Sequence, residues 1–575
     1  MEHALMRHRW VLPAAEDTSS ALAAALSISP LTARILAARG LGDPAAAARF
    51  LEPSFEHLHD PLQMRGMAAA VERIERAIAA GEKILIYGDY DVDGTSSVVI
   101  LTKAIEIAGG AAEYHIPHRL KDGYGMRSEV VEAAAGAGVR LIVSVDTGIR
   151  AAEVVALANA LGIDVIVTDH HLPEEELPPA LAVLNPNQPG CRYPEKNLCG
   201  AGVAFKLVQA LLARRGWQTG RVRNFAESFL KLAAIATVAD VVPLTGENRA
   251  IVAQGLAGLR DVRNPGLRAL LDVCGFPRGA APTAGQVAFR VAPRINAAGR
   301  MDHAQAAVEM FLTGDPARAR ELAAQLHEHN TDRQQAEAHV RELCERDGVD
   351  PAAAALVYYA EDWHRGVLGI VASRLVERFH RPVFVLARNP EDGTAQGSGR
   401  SIPAFHLLDA LDSMRDLFLR YGGHSHAAGV TLDVVRVEEF RERFQACAAA
   451  RLKPEDFEPR LEIDAVLELT ELTDAAIGEL FRLAPFGHGN RAPMLAARNV
   501  AISGPPALWK EKHLRVLVRQ NRRTLILKAW NFAARAAEMP AGATVDIAFQ
   551  IEEDAYTGWS AVLRDVRPAE AGASA

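Results

Sequence analysis

The chain of 575 residues has only five cysteines, and none is set in the short paired spacing that a structural zinc site needs. Cys191, Cys199, Cys274, Cys344 and Cys447 are read as reduced thiols, which excludes a disulfide-stapled secreted scaffold. Long apolar runs are also missing. No stretch approaches the roughly 18 uninterrupted apolar residues of a membrane span, and the opening MEHALMRHRWVLPAAED lacks the continuous apolar segment of an export signal. A soluble, cytoplasmic protein with no use for a membrane is the expectation. Positive charge is not in excess either: 63 Lys and Arg against 71 Asp and Glu leave a formal −8. That excludes coating nucleic acid by global attraction, because counterion release requires clustered cations, and it leaves a local basic groove open.

What is present is ordinary globular material, 49% hydrophobic and 23% charged, enough for about three or four domains. From Lys83 the chain alternates strand-like and helix-like runs: KILIYG, SSVVILTKAIEIAGG, AEYHIPH, a helix near Ser128 to Ala137, RLIVSVD, AAEVVALANALG, DVIVTDHH and AVLNP. That alternation predicts a parallel, doubly wound α/β sheet. Residues 302–346, Ala- and Leu-rich with charges at helical spacing, predict a helical connector. A second, smaller α/β segment follows, with strands LVYYA and PVFVLA, the helix GVLGIVASRLVERF, and two Gly-rich stretches read as turns, AQGSGRSI and YGGHSHAAG. From about Leu461 the runs HLRVLVRQ, TLILKAW and TVDIAFQI predict a closed β-barrel of the OB kind. The first 60 or so residues are mostly helical in pattern.

The sharpest chemical signal is GDYDVDG at residues 88–94, which sets Asp89, Asp91 and Asp93 at the end of an apolar run. One such Asp is as readily a helix cap as a functional group. Three together raise the cost of ionisation unless a cation neutralises them. Oxygen ligands favour Mg²⁺ or Mn²⁺, and a neighbouring His tilts the choice toward Mn²⁺. Asp169, His170 and His171 in VTDHHLP, Asp146 in SVDTG and Asp240 in ATVADVVPL also follow apolar runs. In an open α/β sheet the crevice lies beyond the carboxyl ends of the strands, so these distant residues can converge there.

The set GDYDVDG, SVDTG, VTDHH and VAD, in that order, resembles the four motifs of the DHH phosphoesterase superfamily, and YGGHSHAAG resembles the signature of its DHH-associated domain. More narrowly, APRINAAGRM, WHRGVLGIVASRL, SGRSI and PFGHGN resemble the RecJ family, single-strand-specific 5′→3′ DNA exonucleases, over nearly the whole chain. The resemblance implies a DHH catalytic domain at 61–301, after an N-terminal helical segment at 1–60 and before a connector at 302–349. It further implies a DHH-associated domain at 350–455, an OB-fold domain at 456–568 and a flexible tail at 569–575. It implies two ions, Mn²⁺ or Mg²⁺, held by Asp91, Asp93, Asp146, His170 and Asp240, with Asp146 bridging and Asp89 a further ligand. Other branches place a ligating His where this chain has Tyr87, so either Asp89 or water fills that position here or the first ion binds more weakly.

The catalytic set is then Asp146, His171, Asp91 and Asp93, with His171 contacting phosphate or aiding the leaving oxygen. Substrate-binding candidates are Arg119, Arg294, Asn296 and Arg300, expected on loops or turns, and Ser398, Arg400, Gly422, Gly423 and His424, whose Gly-rich turns can offer backbone N–H groups to an anion. His426 stays undecided. In the C-terminal module Lys510, Lys512, His513, Arg515, Arg519, Arg522, Arg523 and Lys528 interleave with Trp509 and Trp530, which suits single-strand binding or, equally, a solvated face over buried Trp. The expected partner is single-stranded DNA, with a helicase and a single-strand-binding protein as suppliers, and the protein is expected to act as a monomer. Three other readings compete. A phosphodiesterase of short oligonucleotides or cyclic dinucleotides, or of pyrophosphate, would not need the β module. A haloacid-dehalogenase-like phosphatase would use Asp91 as nucleophile and leave His170, His171 and Gly422–His424 without roles. A scaffold without activity would not need the acidic set.

Overall fold

The computed structural model describes residues 7–13, 19–119, 122–216, 219–301, 303–346, 350 and 352–569. The expected tail lies almost wholly outside them. The chain forms two compact units, neither continuous in sequence: one of 52–334 with 485–491, the other of 1–51, 335–484 and 492–575.

The first unit is built on five parallel strands in the spatial order Ala112–His115, Lys83–Tyr87, Val139–Val145, Asp164–Thr168, Ala182–Leu184. Both faces are buried, and alternate residues serve different cores. Ile84 and Ile86 join Leu141, Val143 and Ile166 under the helices Met67–Ala80, Val92–Ile107 and Gly200–Ala213. Leu85 and Tyr87 join Ile142, Val165 and Val167 under Ser128–Gly136 and Ala152–Ala160. A strand buried on both sides must be apolar throughout, which is why these runs read as continuous rather than alternating. The strand order reverses between Lys83–Tyr87 and Val139–Val145, the switch point where such sheets open a crevice. Helices Gln305–Leu312 and Pro316–Arg346 occupy the region expected to be a connector.

The second unit holds a five-stranded mixed sheet in the order Phe418–Gly423, Ala427–Leu432, Ala395–Arg400, Val383–Arg388, Leu356–Ala360. It also holds a barrel. Strands Leu495–Ile502, Thr544–Asp554, Gly558–Pro568, Arg523–Ala529 and His513–Gln520 follow one another, and the last pairs back with the first at Ala501↔Arg519 and Ile502↔Val518. Closure removes the sheet edges that would otherwise invite association. No described helix is long and apolar enough to cross a membrane.

Two sequence expectations are corrected. AQGSGRSI and YGGHSHAAG are largely strands rather than turns, because Gly397 and Gly399 give space to Leu386 and Phe384 of the neighbouring strand: a Cβ there would stand 2.6 Å and 2.4 Å from their side chains. Arg294, Asn296 and Arg300 lie on the helix Ala292–Met301 rather than on loops. Arg119 is at a turn, as expected.

Candidate metal centre

The switch point gathers the acidic residues. Asp91 caps the helix Val92–Ile107, its Oδ1 accepting from the N–H groups of Asp93 and Gly94 at 2.8 and 3.0 Å. Asp93, within the first turn of that helix, accepts from Gly200 N–H (2.6 Å) and Ala201 N–H (2.7 Å) at the start of the helix Gly200–Ala213. Gly200 is needed there, since a Cβ would stand 2.7 Å from Asp146 Cβ. Asp146, buried at the end of its strand, has φ +59, a left-handed conformation that Asp tolerates better than most residues and that recurs at functional sites.

Three overlapping groups follow: Asp89, Asp91 and Asp146; Asp93, His170 and Asp240; and Asp146, His170 and His171, each with ligand atoms within 4.8 Å of one another. His170 Nε2 is central, 3.2 Å from Asp146 Oδ1 and 3.7 Å from both Asp93 Oδ2 and Asp240 Oδ2. Asp89 Oδ1, Asp146 Oδ1 and Asp240 Oδ2 are buried and accept no hydrogen bond. Three such oxygens in one place fit a site for divalent cations, which would satisfy them without adding protons.

The electrostatics agree. Burial, then the Asp91 charge, pushes the Asp89 carboxyl up to about 8. Burial, then Asp93, pushes Asp240 up to about 9. Asp91 and Asp146 are also raised, by burial first and by Asp93 next, and burial holds His170 below the ordinary histidine value. Burial and mutual repulsion thus oppose ionisation of Asp89, Asp91, Asp146 and Asp240.

Asp169 differs. Its Oδ1 accepts from His171 Nδ1 (2.7 Å) and from the N–H groups of His170 and His171, and its Oδ2 from Ile149 N–H. Burial opposes its ionisation, but those bonds hold its pKa below the usual carboxylate value. Burial likewise lowers His171, and the bond and charge of Asp169 outweigh it, so His171 is raised. Nδ1 is thereby engaged, which leaves Nε2 for other work. Asn185 and Asn187 hold the carbonyls of His171 and His170.

Tyr87 does not take the place of a ligand. Its ring is fully buried on the opposite face of the sheet and its hydroxyl donates to Gly125 O. Tyr124, next to Gly125 in the chain, donates to Asp146 O at 3.1 Å, with His171 Nδ1 also 3.1 Å away. Tyr124 and His171 both line a cavity of about 500 Å³. Sequence reasoning missed Tyr124, Asp169 as an orienting group, and Gly200 with Ala201. Only the GAG run at a helix start could have flagged the last pair.

Arg119 stacks over Tyr90, 4.8 Å from the ring centre. Asn296 Oδ1 accepts from Val92 N–H at 3.1 Å, so it braces the acidic loop. Arg294 Nε donates to His327 Nδ1. In the other unit, Gly422, Gly429 and Ser398 lie in one row across three strands, with Arg400 donating to Ser398 Oγ at 3.0 Å. Gly369, at the start of the helix Leu368–Phe379, packs close to Ser398 and Arg400. His424 N–H donates to Ala427 O across the turn. In the barrel, Trp509, His513 and Trp530 form a cluster with ring centres 4.9–5.7 Å apart, and Lys510 and Arg515 lie over Trp509. Trp530 is 38% exposed, so the alternative of buried Trp does not hold.

Residues 83–237 match the DHH family, N-terminal domain; 352–450 match the DHHA1 domain; and 463–563 match the RecJ OB domain. The chain is 40% identical over 512 residues to the single-stranded-DNA-specific exonuclease RecJ of Dickeya dadantii (strain 3937), covering 86% of this chain and 87% of that one. It is 39% identical over 521 residues to the protein so named in Bacillus subtilis (strain 168), covering 90% of this chain and 65% of that longer one. Among solved structures, RecJ from Thermus thermophilus in complex with Mn²⁺ superposes with TM-score 0.83 at 32% identity, covering 98% of this chain and 80% of that one.

Proposed function

The chain belongs to the RecJ family of single-stranded-DNA-specific exonucleases, and from that membership we propose that it hydrolyses single-stranded DNA from the 5′ end to mononucleotides with two Mn²⁺ or Mg²⁺ ions, in recombination and repair. The observation that carries this reading is the trio of buried carboxylate oxygens on Asp89, Asp146 and Asp240 that accept no hydrogen bond. Asp89, Asp91 and Asp146 would hold one ion and Asp93, His170 and Asp240 the other, with Asp146 within reach of both groups. Bound there, two divalent cations supply Lewis acidity toward the phosphate and lower the pKa of water.

The protein's own groups do the rest. His171, oriented by Asp169, presents Nε2 to a phosphate oxygen and to the leaving oxygen. Arg119, Arg294 and Arg300 bind the sugar-phosphate chain, and Ser398, Arg400, Gly422, Gly423 and His424 take a further phosphate in the row left open by glycine. Asn296 contributes by holding the Asp91 loop. The aromatic and basic face of the barrel binds further nucleotides without sequence preference. A nuclease confined to single strands needs a helicase to supply them and meets them coated by a single-strand-binding protein. It works on cytoplasmic DNA as a monomer, the last checked by sedimentation.

The test is Asp146→Asn with Mn²⁺ on single strands labelled at either end. Nucleotide release should fall by at least about 100-fold, and the unaltered protein should liberate label from the 5′ end first. Near-normal turnover of the variant would sink the reading. Preference for dinucleotides over long strands would favour the short-substrate phosphodiesterase.

A further inference from the structure

Asp240 is the least supported member of the cluster. It sits immediately after the helix Thr219–Ala239, its N–H still bonded to Ala236 O, and its Oδ2 accepts no hydrogen bond. With no hydrogen bond to that oxygen, and His170 Nε2 3.7 Å away, the carboxylate is placed largely by its backbone. That backbone is strained: Val241 has φ +60, a conformation that is a true outlier for a β-branched residue and persists only where surroundings enforce it. What enforces it must be sought in residues 242–245.

Leu244, almost fully buried, donates its N–H to His488 O at 2.7 Å. His488 belongs to PFGHGNR, residues 485–491, which the chain supplies from between the helix Asp474–Arg482 and the strand Leu495–Ile502, and which groups with the metal-bearing unit. The segment is braced on itself. Gly487 and Asn490 exchange backbone bonds at 2.9 and 3.2 Å, and Asn490 Nδ2, buried, donates to Pro485 O at 2.8 Å. Its two glycines press on the Asp240 loop: a Cβ on Gly487 would stand 2.7 Å from Leu244 Cδ1, and one on Gly489 2.9 Å from Pro243 Cβ. Gly489 also has φ +69, so any other residue there is strained as well as crowded. From the other side Asn248 Nδ2 donates to Pro243 O (3.2 Å) and Asn197 O (2.6 Å).

We propose that residues 485–491 are a positioning element for Asp240, seating the loop 241–245 so that this carboxylate completes the Asp93–His170–Asp240 group. The proposal rests on the ligand role given to Asp240 above. Gly and Asn are required by it for physical reasons: glycine for close approach to Pro243 and Leu244, asparagine to lock the turn through its bond to Pro485 O.

The experiment compares Gly489→Ala, Gly487→Ala and Asp240→Asn in the full chain. Mn²⁺ is titrated into metal-free protein by calorimetry and by the electron paramagnetic resonance of free Mn²⁺, and single-strand affinity is measured in EDTA. Asp240→Asn should lose one of two tight ions; retention of both would remove the ligand role itself. Given that loss, Gly489→Ala should weaken the same ion by about 10–100-fold, as expected for groups that orient a ligand, with Gly487→Ala intermediate because Leu244 Cδ1 can shift. Melting temperature in EDTA should fall only modestly, by the strain of a Cβ at φ +69, and single-strand affinity should stay at the unaltered value. Two tight ions in both glycine variants, or a loss of Mn²⁺ binding that only tracks a fall in melting temperature, would overturn the proposal.

Discussion

Asp89 and Asp240 show what the metal centre costs the protein without cations. Their carboxyls, raised to about 8 and about 9 by burial and by neighbouring Asp, stay protonated where an ordinary carboxyl has long ionised. A group whose folded pKa exceeds its unfolded value stabilises the fold fully below the unfolded value, about 4, and that contribution is lost as pH rises through the folded one. Metal-free protein should therefore lose stability between about pH 4 and about pH 9, and Mn²⁺ should remove the decline by replacing the protons. The gap in melting temperature between Mn²⁺-loaded and EDTA-treated protein is expected to widen from about pH 5.5 to about pH 8.5; a constant gap would contradict this. His171 offers a second check. Asp169→Asn places an amide where three backbone N–H groups and Nδ1 converge, so turnover should drop about 10–100-fold while the number of bound Mn²⁺ ions is unchanged.

At the scale of elements, the parallel sheet and its acidic ends were legible because two physical constraints leave marks in sequence. A strand buried on both faces must be apolar throughout, and a crevice at its carboxyl end collects polar residues just after it, as at Asp146 and Asp169. The strand Ala395–Arg400 was not legible, since glycine there serves the neighbouring Phe384 and Leu386 rather than a turn, and no local pattern distinguishes the two. Arg294, Asn296 and Arg300 were placed wrongly for a related reason: PRINAAGR contains Pro and Gly yet is helical, with Gly299 approaching Tyr90 O closely. Gly422 gives a test in which fold and function separate. Nothing lies within 4 Å of the Cβ it would gain, so Gly422→Ala should leave the melting temperature alone and weaken single-strand binding, whereas unchanged binding would remove this row from the substrate site. The barrel has its own keystone. Asp565, held to about 2, despite burial, by His8 nearby and by hydrogen bonds from Trp10 and Arg535, pairs with a nearly buried guanidinium that also meets Glu538, and Asp565→Ala should cost about 1.5–3 kcal/mol of barrel stability, read from denaturant unfolding.

Taken whole, the molecule resists division at sequence boundaries. The helices after Met301 run on as part of the metal-bearing unit to residue 334, and residues 485–491 return to that unit from within the C-terminal third. The boundary at 334 falls inside the helix Pro316–Arg346, and 485–491 is a short loop whose membership is set by tertiary contacts, so neither was visible in local sequence patterns. The consequence bears on a natural experiment, removal of everything after about Leu461, which on a linear view should weaken DNA binding while sparing chemistry on saturating short substrates. That truncation also strips the turn that seats Leu244, and it is expected to lower Mn²⁺ affinity and turnover together. Trp509→Ala with Trp530→Ala isolates the barrel's share instead, because both rings lie on one face with Lys510 and Arg515. Each stacked base is worth about 1–3 kcal/mol, so the double variant should bind long single strands at least about tenfold more weakly by fluorescence anisotropy, with Mn²⁺ binding and turnover of saturating short oligonucleotides unchanged. Loss of Mn²⁺ binding in that variant, or full activity in the truncated chain, would show that the two units divide their labour differently.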